Sequence, residues 1–344
     1  MLFRTELHPD KLPVALQLTD QIVTVGSCFA EAMGQRLADH KLPTLVNPLG
    51  TLFSPASISK LLTLALNGGQ PDEALYVHRD GLWFHYDFHS SLWATSKEAL
   101  MQRLQVRLQA VGEALRQANW LLLTLGSAVV YRHVETGQVV ANCHKMSAAS
   151  TGAASAGAAS TVAASTVGMV FEKYLCQIDH VRDDLTKLLR LLKRRNPGLN
   201  VLLTVSPVRH VRDGLALNGA SKGLLRTLCA ELPVWHPQVH YFPAYELMQD
   251  DLRDYRFYEA DLIHPNAQAH DYVFAKFAEC VFSPELRAFV QEWQSIRRAM
   301  AHRPLHGLTD AHRQFLQTLL NRFETLPVTI DTTAERAAIE QQLL

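Results

Sequence analysis

The first strand and the first helix of the predicted fold meet in one short stretch, Ile22-Val23-Thr24-Val25-Gly26-Ser27-Cys28-Phe29-Ala30. Its first four residues form a short apolar run that predicts a fully buried strand. Gly26 permits a tight turn, and a helical pattern begins directly after Ser27. In open α/β sheets, ligands bind at the carboxyl edge of the strands. The stretch therefore predicts a strand–turn–helix unit that places Ser27 at a ligand-binding edge.

Further apolar runs and helical patterns alternate along the chain. The other predicted strands cover Trp120–Leu125, residues 201–205 and, more weakly, 239–242. The predicted helices cover residues 29–39, 55–66, 97 to about 118, 171–195, and 267 to about 282, the last capped by Asn266. This alternation is typical of a three-layer α/β/α fold with a mostly parallel, flavodoxin-like sheet.

Three segments depart from the alternation. Residues 75–93 are rich in aromatic residues and histidine, and the turn signal Asp80-Gly81 predicts a small β-ribbon there. Residues 147–168 contain only Ala, Ser, Thr, Gly and Val, and we expect a mobile insertion because little burial offsets its ordering entropy. After residue 283 the pattern is helical only. We expect a catalytic domain over residues 1–282 and a C-terminal helical appendage over 283–344.

Composition excludes several classes of protein. The 344 residues include 33 Lys plus Arg and 33 Asp plus Glu, and 48 % are apolar. This balance argues against a disordered chain and against a nucleic-acid-binding surface. The five cysteines form no CxxC pair, which disfavours a disulfide framework or a zinc module. Without a signal-peptide pattern or a membrane-spanning run, we expect a cytoplasmic protein with no membrane, metal or cofactor requirement.

A second group of reactive side chains precedes the last helix of the sheet domain. Asp261 and His264 are three residues apart on a predicted turn. A serine nucleophile needs a base whose pKa lies near neutrality, and the base needs a carboxylate to orient its other nitrogen. Considered separately, Ser27 is equally consistent with a helix cap, and Asp261 with His264 is consistent with a surface pair.

Taken together, the two groups resemble SGNH (GDSL-type) hydrolases, and the pentapeptide at residues 26–30 resembles the name-giving motif of the GSCFA domain family. The resemblance covers roughly residues 26–282. The other stretches that resemble this family are Asn47-Pro48-Leu49-Gly50, Thr124-Leu125-Gly126-Ser127, Asn142-Cys143-His144-Lys145, Thr204-Val205-Ser206-Pro207-Val208, Ser221-Lys222 and Asp254-Tyr255-Arg256-Phe257-Tyr258.

The resemblance implies a catalytic role for three residues. Ser27 is the implied nucleophile, His264 the general base and Asp261 the residue that orients His264. The implied function is a serine esterase or O-acyltransferase that acts on a small-molecule or carbohydrate ester through an acyl-Ser27 intermediate. The alternative is a binding or scaffold protein that keeps the fold with weak or no catalysis.

The oxyanion hole departs from the usual SGNH pattern. The expected donors are the backbone N–H groups of Ser27 and Gly50. Most SGNH enzymes add an Asn in a Gly-x-Asn motif, but the matching place here is Gly126-Ser127-Ala128. Asn142 is the candidate replacement, with Ser127 and His144 as further options.

Five side chains are expected to contact the substrate: His89, Ser127, His144, Arg209 and Ser221. Arg209 lies just past the strand at 201–205, where a cation suits an anionic part of a substrate or acyl carrier. The neighbouring His210 and Arg212 share this interpretation.

Two alternatives stay open at this level. Cys28 is either a second possible nucleophile or a thiol packed under the first helix. His85, Asp87 and His89 would share one face of a strand, which suits either a metal site or a pocket wall. We favour the packed thiol and the pocket wall.

Overall fold

The computed structural model of the protein describes residues 4–144, 170–304 and 309–343. The insertion predicted at 147–168 lies outside these residues. The strands are β1 (Ile22–Gly26), β2 (Thr44–Val46), β3 (Tyr76–Arg79), β4 (Leu82–His85), β5 (Trp120–Leu125), β6 (Val129–His133), β7 (Val139–Val140), β8 (Phe171–Leu175), β9 (Asn200–Val205) and β10 (Val239–Tyr241). The helices are α1 (Cys28–Asp39), α2 (Pro55–Asn67), α3 (Lys97–Gln117), α4 (Ile178–Arg195), α5 (Leu215–Trp235), α6 (Ala244–Glu246), α7 (Ala267–Val281), α8 (Pro284–Met300), α9 (Asp310–Glu324) and α10 (Thr333–Leu343).

The central sheet contains five parallel strands in the order β10-β9-β5-β1-β2. Numbered within the sheet, this is the order 2-1-3-4-5 of flavodoxin-like folds. The predicted parallel α/β sheet is therefore confirmed. In this order, chain direction across the sheet reverses between β1 and β5, and ligand crevices of open sheets form at that switch point.

Apolar side chains alternate between the two faces of the sheet, so each face supports its own helical layer. Val23 and Val25 of β1 belong to the core that includes buried leucines of α2, α3, α4 and α5. Ile22 belongs to the opposite core, which is built with α1, α7, α8, α9 and α10. The result is a three-layer α/β/α arrangement.

Capping residues begin the helices where the sequence predicts them. Ser54 Oγ accepts the N–H of Ser57 at the start of α2, and Asn266 Oδ1 accepts the N–H of Ala269 at the start of α7. Such caps satisfy N–H groups that have no partner inside the helix.

The β-ribbon predicted at residues 75–93 is present as the antiparallel pair β3–β4. The single helix predicted for residues 171–195 is wrong in its first part. Residues 171–175 form β8, which pairs with β6, and the helix begins only at Ile178. Phe171 explains the difference, because its fully buried ring packs edge-on against Tyr86 of the ribbon segment. This long-range contact overrides the local helical pattern.

The helices after residue 283 complete the core on the α1 face. Trp293 of α8 is 1 % exposed, and its Nε1–H donates to the carbonyl oxygen of Asp39 at 2.8 Å. Ile339 of α10 is fully buried in the same cluster. The domain boundary at residue 282 stays a prediction, but α8 and α10 share a core with α1. In the described parts of the chain, no helix has both the length and the apolar content needed to cross a bilayer.

Candidate functional site

Ser27 lies at the switch point between β1 and β5. Gly26 has φ +142°, and a Cβ there would lie 2.2 Å from the carbonyl oxygen of Thr124, so only glycine fits. The Ser27 N–H donates to that same carbonyl at 3.2 Å. Ser27 Oγ accepts the N–H of Phe29 at 3.2 Å and so caps α1. The side chain is 0 % exposed. The helix-capping role considered from the sequence is therefore present in the structure.

Asn47 holds the turn from the other side of β1. Its Oδ1 accepts the N–H of Gly26 at 3.1 Å, and its own N–H donates to Thr24. Asn47 has φ 41°, a conformation that Asn tolerates better than most residues. Asn47 lies in one of the stretches that resemble the GSCFA family, but no role for it is predicted from the sequence. Its signal was an Asn next to Pro48 directly after a strand.

The two backbone amides expected to form the oxyanion hole are both hydrogen-bonded to carbonyls. The Ser27 N–H is bonded to Thr124, and the Gly50 N–H donates to the carbonyl of Asn47 at 2.8 Å. A Cβ on Gly50 would lie 2.5 Å from Cβ of His89, so these two residues are in contact. The oxyanion role of the two amides stays a prediction, and in this conformation an oxyanion would have to displace both bonds.

Asp261 and His264 form the predicted couple. His264 Nδ1 lies 2.6 Å from Asp261 Oδ2, and Asp261 Oδ1 accepts the N–H groups of Ile263 and His264. These hydrogen bonds, first the one from the His264 side chain, lower the Asp261 pKa to about 2. Leu262 adopts φ 59°, which lets the turn wrap around the carboxylate. With Nδ1 engaged, the neutral imidazole presents Nε2 as its proton acceptor.

The His264 turn is attached to the α1 layer through α7. His270, in the first turns of α7, stacks on Phe29 of α1 with ring centroids 5.8 Å apart. Among the described hydrogen bonds none joins Ser27 to His264, and Ser27 Oγ is turned to Phe29. The structure thus forms the Asp–His couple and places the serine on the adjoining helix, with the serine–base bond not formed.

Three buried polar side chains, Ser127, Ser221 and Lys222, form hydrogen bonds to one another or to the backbone just past the ends of β5 and β9. Ser221 Oγ accepts the N–H of Ala128 at 2.7 Å and lies 3.3 Å from Ser127 Oγ. Lys222 Nζ donates to the carbonyls of Gly126 and Ser206, each at 2.7 Å. Two expected substrate contacts, Ser127 and Ser221, are therefore partners of each other and of the backbone.

Lys222, which with Ser221 is expected from the sequence to close the pocket, is instead buried at the ends of β5 and β9. Its side chain is 1 % exposed, and burial lowers its pKa to about 7. Cys28 lies close enough for the charge of each group to act on the other, while burial raises the pKa of the Cys28 thiol. A raised thiol pKa disfavours the thiolate that a cysteine nucleophile requires. The available signal was Ser-Lys on the helix after β9.

Asn142 and His144 belong to a separate network next to the β3–β4 ribbon. Asn142 Nδ2 donates to Ser90 Oγ at 3.0 Å, and Ser90 Oγ lies 3.1 Å from His144 Nδ1. His144 Nε2 lies 2.8 Å from the carbonyl of His85. Burial lowers the His144 pKa, so its ring is held neutral. The oxyanion role of Asn142 stays a prediction, because the amide is directed at Ser90 here.

Asp87 and His85, two of the possible metal ligands in the histidine-rich ribbon, are buried and have protein partners. Asp87 is buried and paired with Lys60, whose Nζ lies 2.6 Å from Oδ2. Burial lowers the His85 pKa to about 3. No three His, Cys, Asp or Glu side chains of the described residues converge as metal ligands do.

Arg209 is held on aromatic faces after β9. Its guanidinium carbon lies 4.4 Å from the ring centre of Tyr258 and 5.1 Å from that of Tyr255. It donates to the hydroxyls of Tyr258 at 2.9 Å and Tyr255 at 3.4 Å. Tyr258 forms an isolated β-bridge with Pro265, the residue after His264. Arg209 is therefore linked directly to the loop that carries the imidazole.

Comparison with family models identifies the chain. The model of the GSCFA family matches residues 21–277, which include the Ser27 turn, the Asp261–His264 turn and most of α7. The chain belongs to the GSCFA family. A second model, the C-terminal domain of GSCFA domain proteins, matches residues 293–344. A search of curated proteins finds no match to this GSCFA protein.

Proposed function

We propose that this GSCFA protein is an SGNH-like serine esterase or O-acyltransferase. The observation that carries the proposal is the Asp261–His264 couple, whose Nδ1–Oδ2 distance is 2.6 Å, on the loop before the helix that stacks on α1. A carboxylate-oriented imidazole next to a serine on a strand–helix turn is the arrangement that activates a hydroxyl for acyl transfer.

The proposed reaction begins with attack of Ser27 Oγ on the carbonyl carbon of an ester. His264 Nε2 accepts the hydroxyl proton, and Asp261 stabilises the imidazolium. The bond to the leaving oxygen then breaks, and His264 returns the proton to the departing alcohol. Water or a sugar hydroxyl, deprotonated by His264, next attacks the acyl-Ser27 ester and releases the serine.

Access to Ser27 requires a local change. The hydroxyl has no exposed surface and, among the described residues, forms no bond to His264, although the capping bond from Phe29 uses Oγ only as an acceptor and leaves its O–H available as a donor. The amides of Ser27 and Gly50 must release their carbonyl partners to bind an oxyanion. We propose that binding of the ester, or of a fluorophosphonate that mimics it, drives this change.

The proposed substrate is a small-molecule or carbohydrate ester, and the proposed compartment is the cytoplasm. The zero formal charge supports a partner other than nucleic acid. All five cysteines are unpaired, which is consistent with a reducing compartment.

Active-site labelling tests the proposal. The wild-type protein is incubated with a fluorophosphonate, and the modified peptide is identified by mass spectrometry. We expect one adduct on Ser27, lost in Ser27→Ala and kept in Cys28→Ala. His264→Ala should slow labelling about 10²-fold or more, the usual contribution of a general base. A folded protein without a Ser27 adduct would contradict the esterase proposal.

The second candidate is a binding or scaffold protein with the same fold. The backbone N–H groups of Ser27 and Gly50 favour this candidate, because both are hydrogen-bonded to backbone carbonyls and so are not available to an oxyanion. Under this candidate, Ser27→Ala keeps the cellular phenotype of the wild type. Loss of the phenotype with an unchanged melting temperature would exclude it.

A further inference from the structure

Arg209 carries a positive charge without a counter-ion among the described side chains. Its side chain donates hydrogen bonds to two tyrosine hydroxyls and makes cation–π contacts with the faces of the same two rings. Two acids of the adjoining loop have other partners. Asp254 pairs with Arg256 at 3.1 Å, and Asp261 pairs with His264.

The guanidinium retains most of its hydrogen-bonding capacity. Arginine has five N–H donors in a planar fork, and two of them are used by Tyr255 and Tyr258. Three donors remain for a further acceptor. The ring contacts hold the guanidinium plane in place, which reduces the entropy lost when a planar anion binds to it.

A second cation without a carboxylate partner lies at the base of the same loop. Lys222 donates to the carbonyl of Ser206, three residues before Arg209. Burial lowers the Lys222 pKa to about 7, so the carboxyl end of β9 carries the permanent charge of Arg209 and a lysine that is only partly protonated at neutral pH. The β-bridge from Tyr258 to Pro265 connects this region to His264.

We propose that Arg209 binds an oxyanion group of the substrate, a carboxylate or a phosphate, so that the enzyme acts on anionic esters. This inference rests on the proposed esterase or acyltransferase function. The anion would be bound through two parallel N–H donors, the geometry in which arginine recognises both groups. The anion would then be bound beside the loop that carries His264, and the acyl carbonyl of the same ester would be attacked by Ser27.

Kinetics with two matched esters test the subsite. The substrates are 4-nitrophenyl acetate, which is neutral, and mono-4-nitrophenyl glutarate, which carries a carboxylate. In Arg209→Gln, KM for the glutarate ester should rise about 10- to 100-fold, the range expected for a lost charged hydrogen-bond pair. The acetate ester should change less than about 2-fold, since it carries no charge for the guanidinium. Arg209→Lys should restore part of the affinity.

The control is Arg253→Gln, which removes the same charge from an exposed position directly before the segment that contains Tyr255 and Tyr258. It should leave both esters unchanged, and melting temperatures of all variants establish that they are folded. Equal losses on both esters in Arg209→Gln would overturn the subsite and indicate that Arg209 only supports the His264 loop. No change on either ester would also overturn it.

Direct binding separates this inference from the proposed function. Calorimetry measures glutarate and inorganic phosphate binding to the wild type and to Arg209→Gln, and the tighter ligand identifies the group. If the wild type hydrolyses neither ester but binds an anion that Arg209→Gln does not, the esterase proposal fails and the subsite stands. If the wild type and Arg209→Gln bind both anions equally or not at all, the subsite is overturned.

Discussion

Asp261 Oδ2 lies 2.6 Å from His264 Nδ1, and Asp261 Oδ1 accepts two backbone N–H groups of the same turn. Both carboxylate oxygens are therefore engaged within four residues. The turn fixes the position of the ring relative to α7, whose cap Asn266 follows two residues later. In the neutral imidazole this leaves Nε2 as the base.

Asp261→Asn should slow fluorophosphonate labelling of Ser27 by about 10²-fold or more. An Asn at this position can donate to Nδ1 and so favours the tautomer whose Nε2 is protonated and cannot accept a proton. The rate of adduct formation at neutral pH is the measurement. Asp271→Asn, an exposed acid paired with Arg36 on the same side of the fold, is the control and should label normally. An unchanged rate in Asp261→Asn would remove Asp261 from the mechanism.

The Asp261–His264 pair should make the stability of the folded protein depend on pH. The Asp261 pKa is lowered in the folded protein to about 2, so its bonds stabilise the native state above the unfolded pKa near 4. That contribution disappears as the pH falls toward 2. Melting temperatures of the wild type and Asp261→Asn should therefore differ at pH 6 and converge at low pH. A difference that persists at pH 2 would contradict this assignment.

Gly26→Ala should destabilise the protein by about 3 kcal/mol or more, the sum of backbone strain and overpacking. The added Cβ would lie 2.2 Å from the carbonyl oxygen of Thr124, and φ +142° disfavours any side chain. Urea unfolding measures the loss. Gly219→Ala in α5 is the matched control, because nothing lies within 4 Å of a Cβ there. That control should be stabilising by about 0.5–1 kcal/mol. Equal stability of the two variants would show that the turn relaxes.

The sequence was informative about the sheet for a physical reason. Strands β1, β5 and β9 are covered on both faces, so each is a continuous apolar run that ends within a residue of its prediction. Strand β8 was not predicted, because its burial depends on contact between Phe171 and Tyr86, which is distant in the sequence. Short strands with few apolar residues depend on such distant partners.

The candidate site was predictable in composition but not in hydrogen bonding. The Asp-x-x-His spacing was sufficient for the Asp261–His264 couple, because a local turn forms it. Whether the Ser27 N–H is free depends on Thr124, which β5 brings into register with Gly26. The burial of Lys222 similarly depends on two strand ends that meet only in the folded chain. Neither relationship has a local sequence signal.

Lys222→Met should remove a pH dependence of stability. The Lys222 pKa falls from 10.5 to about 7 on folding, so between these values the unfolded chain binds more protons than the native protein. Stability therefore rises with pH in this window, by at most about 1.4 kcal/mol per pH unit from this group. Urea unfolding at pH 7.0 and 8.5 of Lys222→Met and of the wild type measures the slope that Lys222 contributes, because titration of the cysteines is common to both proteins.

The matched control for this experiment is Lys187→Met, an exposed lysine on α4. It should keep the slope of the wild type. If Lys222→Met also keeps that slope, the ammonium titrates normally and its two carbonyl bonds outweigh the effect of burial. If the slope is lost, Lys222 is a group whose charge changes near neutral pH beneath the first turn of α1.

Trp293→Ala should cost about 3–5 kcal/mol, because the ring is 1 % exposed and its Nε1–H donates to the carbonyl of Asp39. The control is Trp235→Ala at the end of α5, which is 73 % exposed and should change stability by less than about 0.5 kcal/mol.

A chain cut after residue 282 loses the whole of α8 and leaves apolar surface of α1 and α7 in water. We expect that fragment to unfold at a much lower temperature than the full chain, or to aggregate. A fragment 1–282 with the melting temperature of the full chain would instead establish the C-terminal helices as an independent unit.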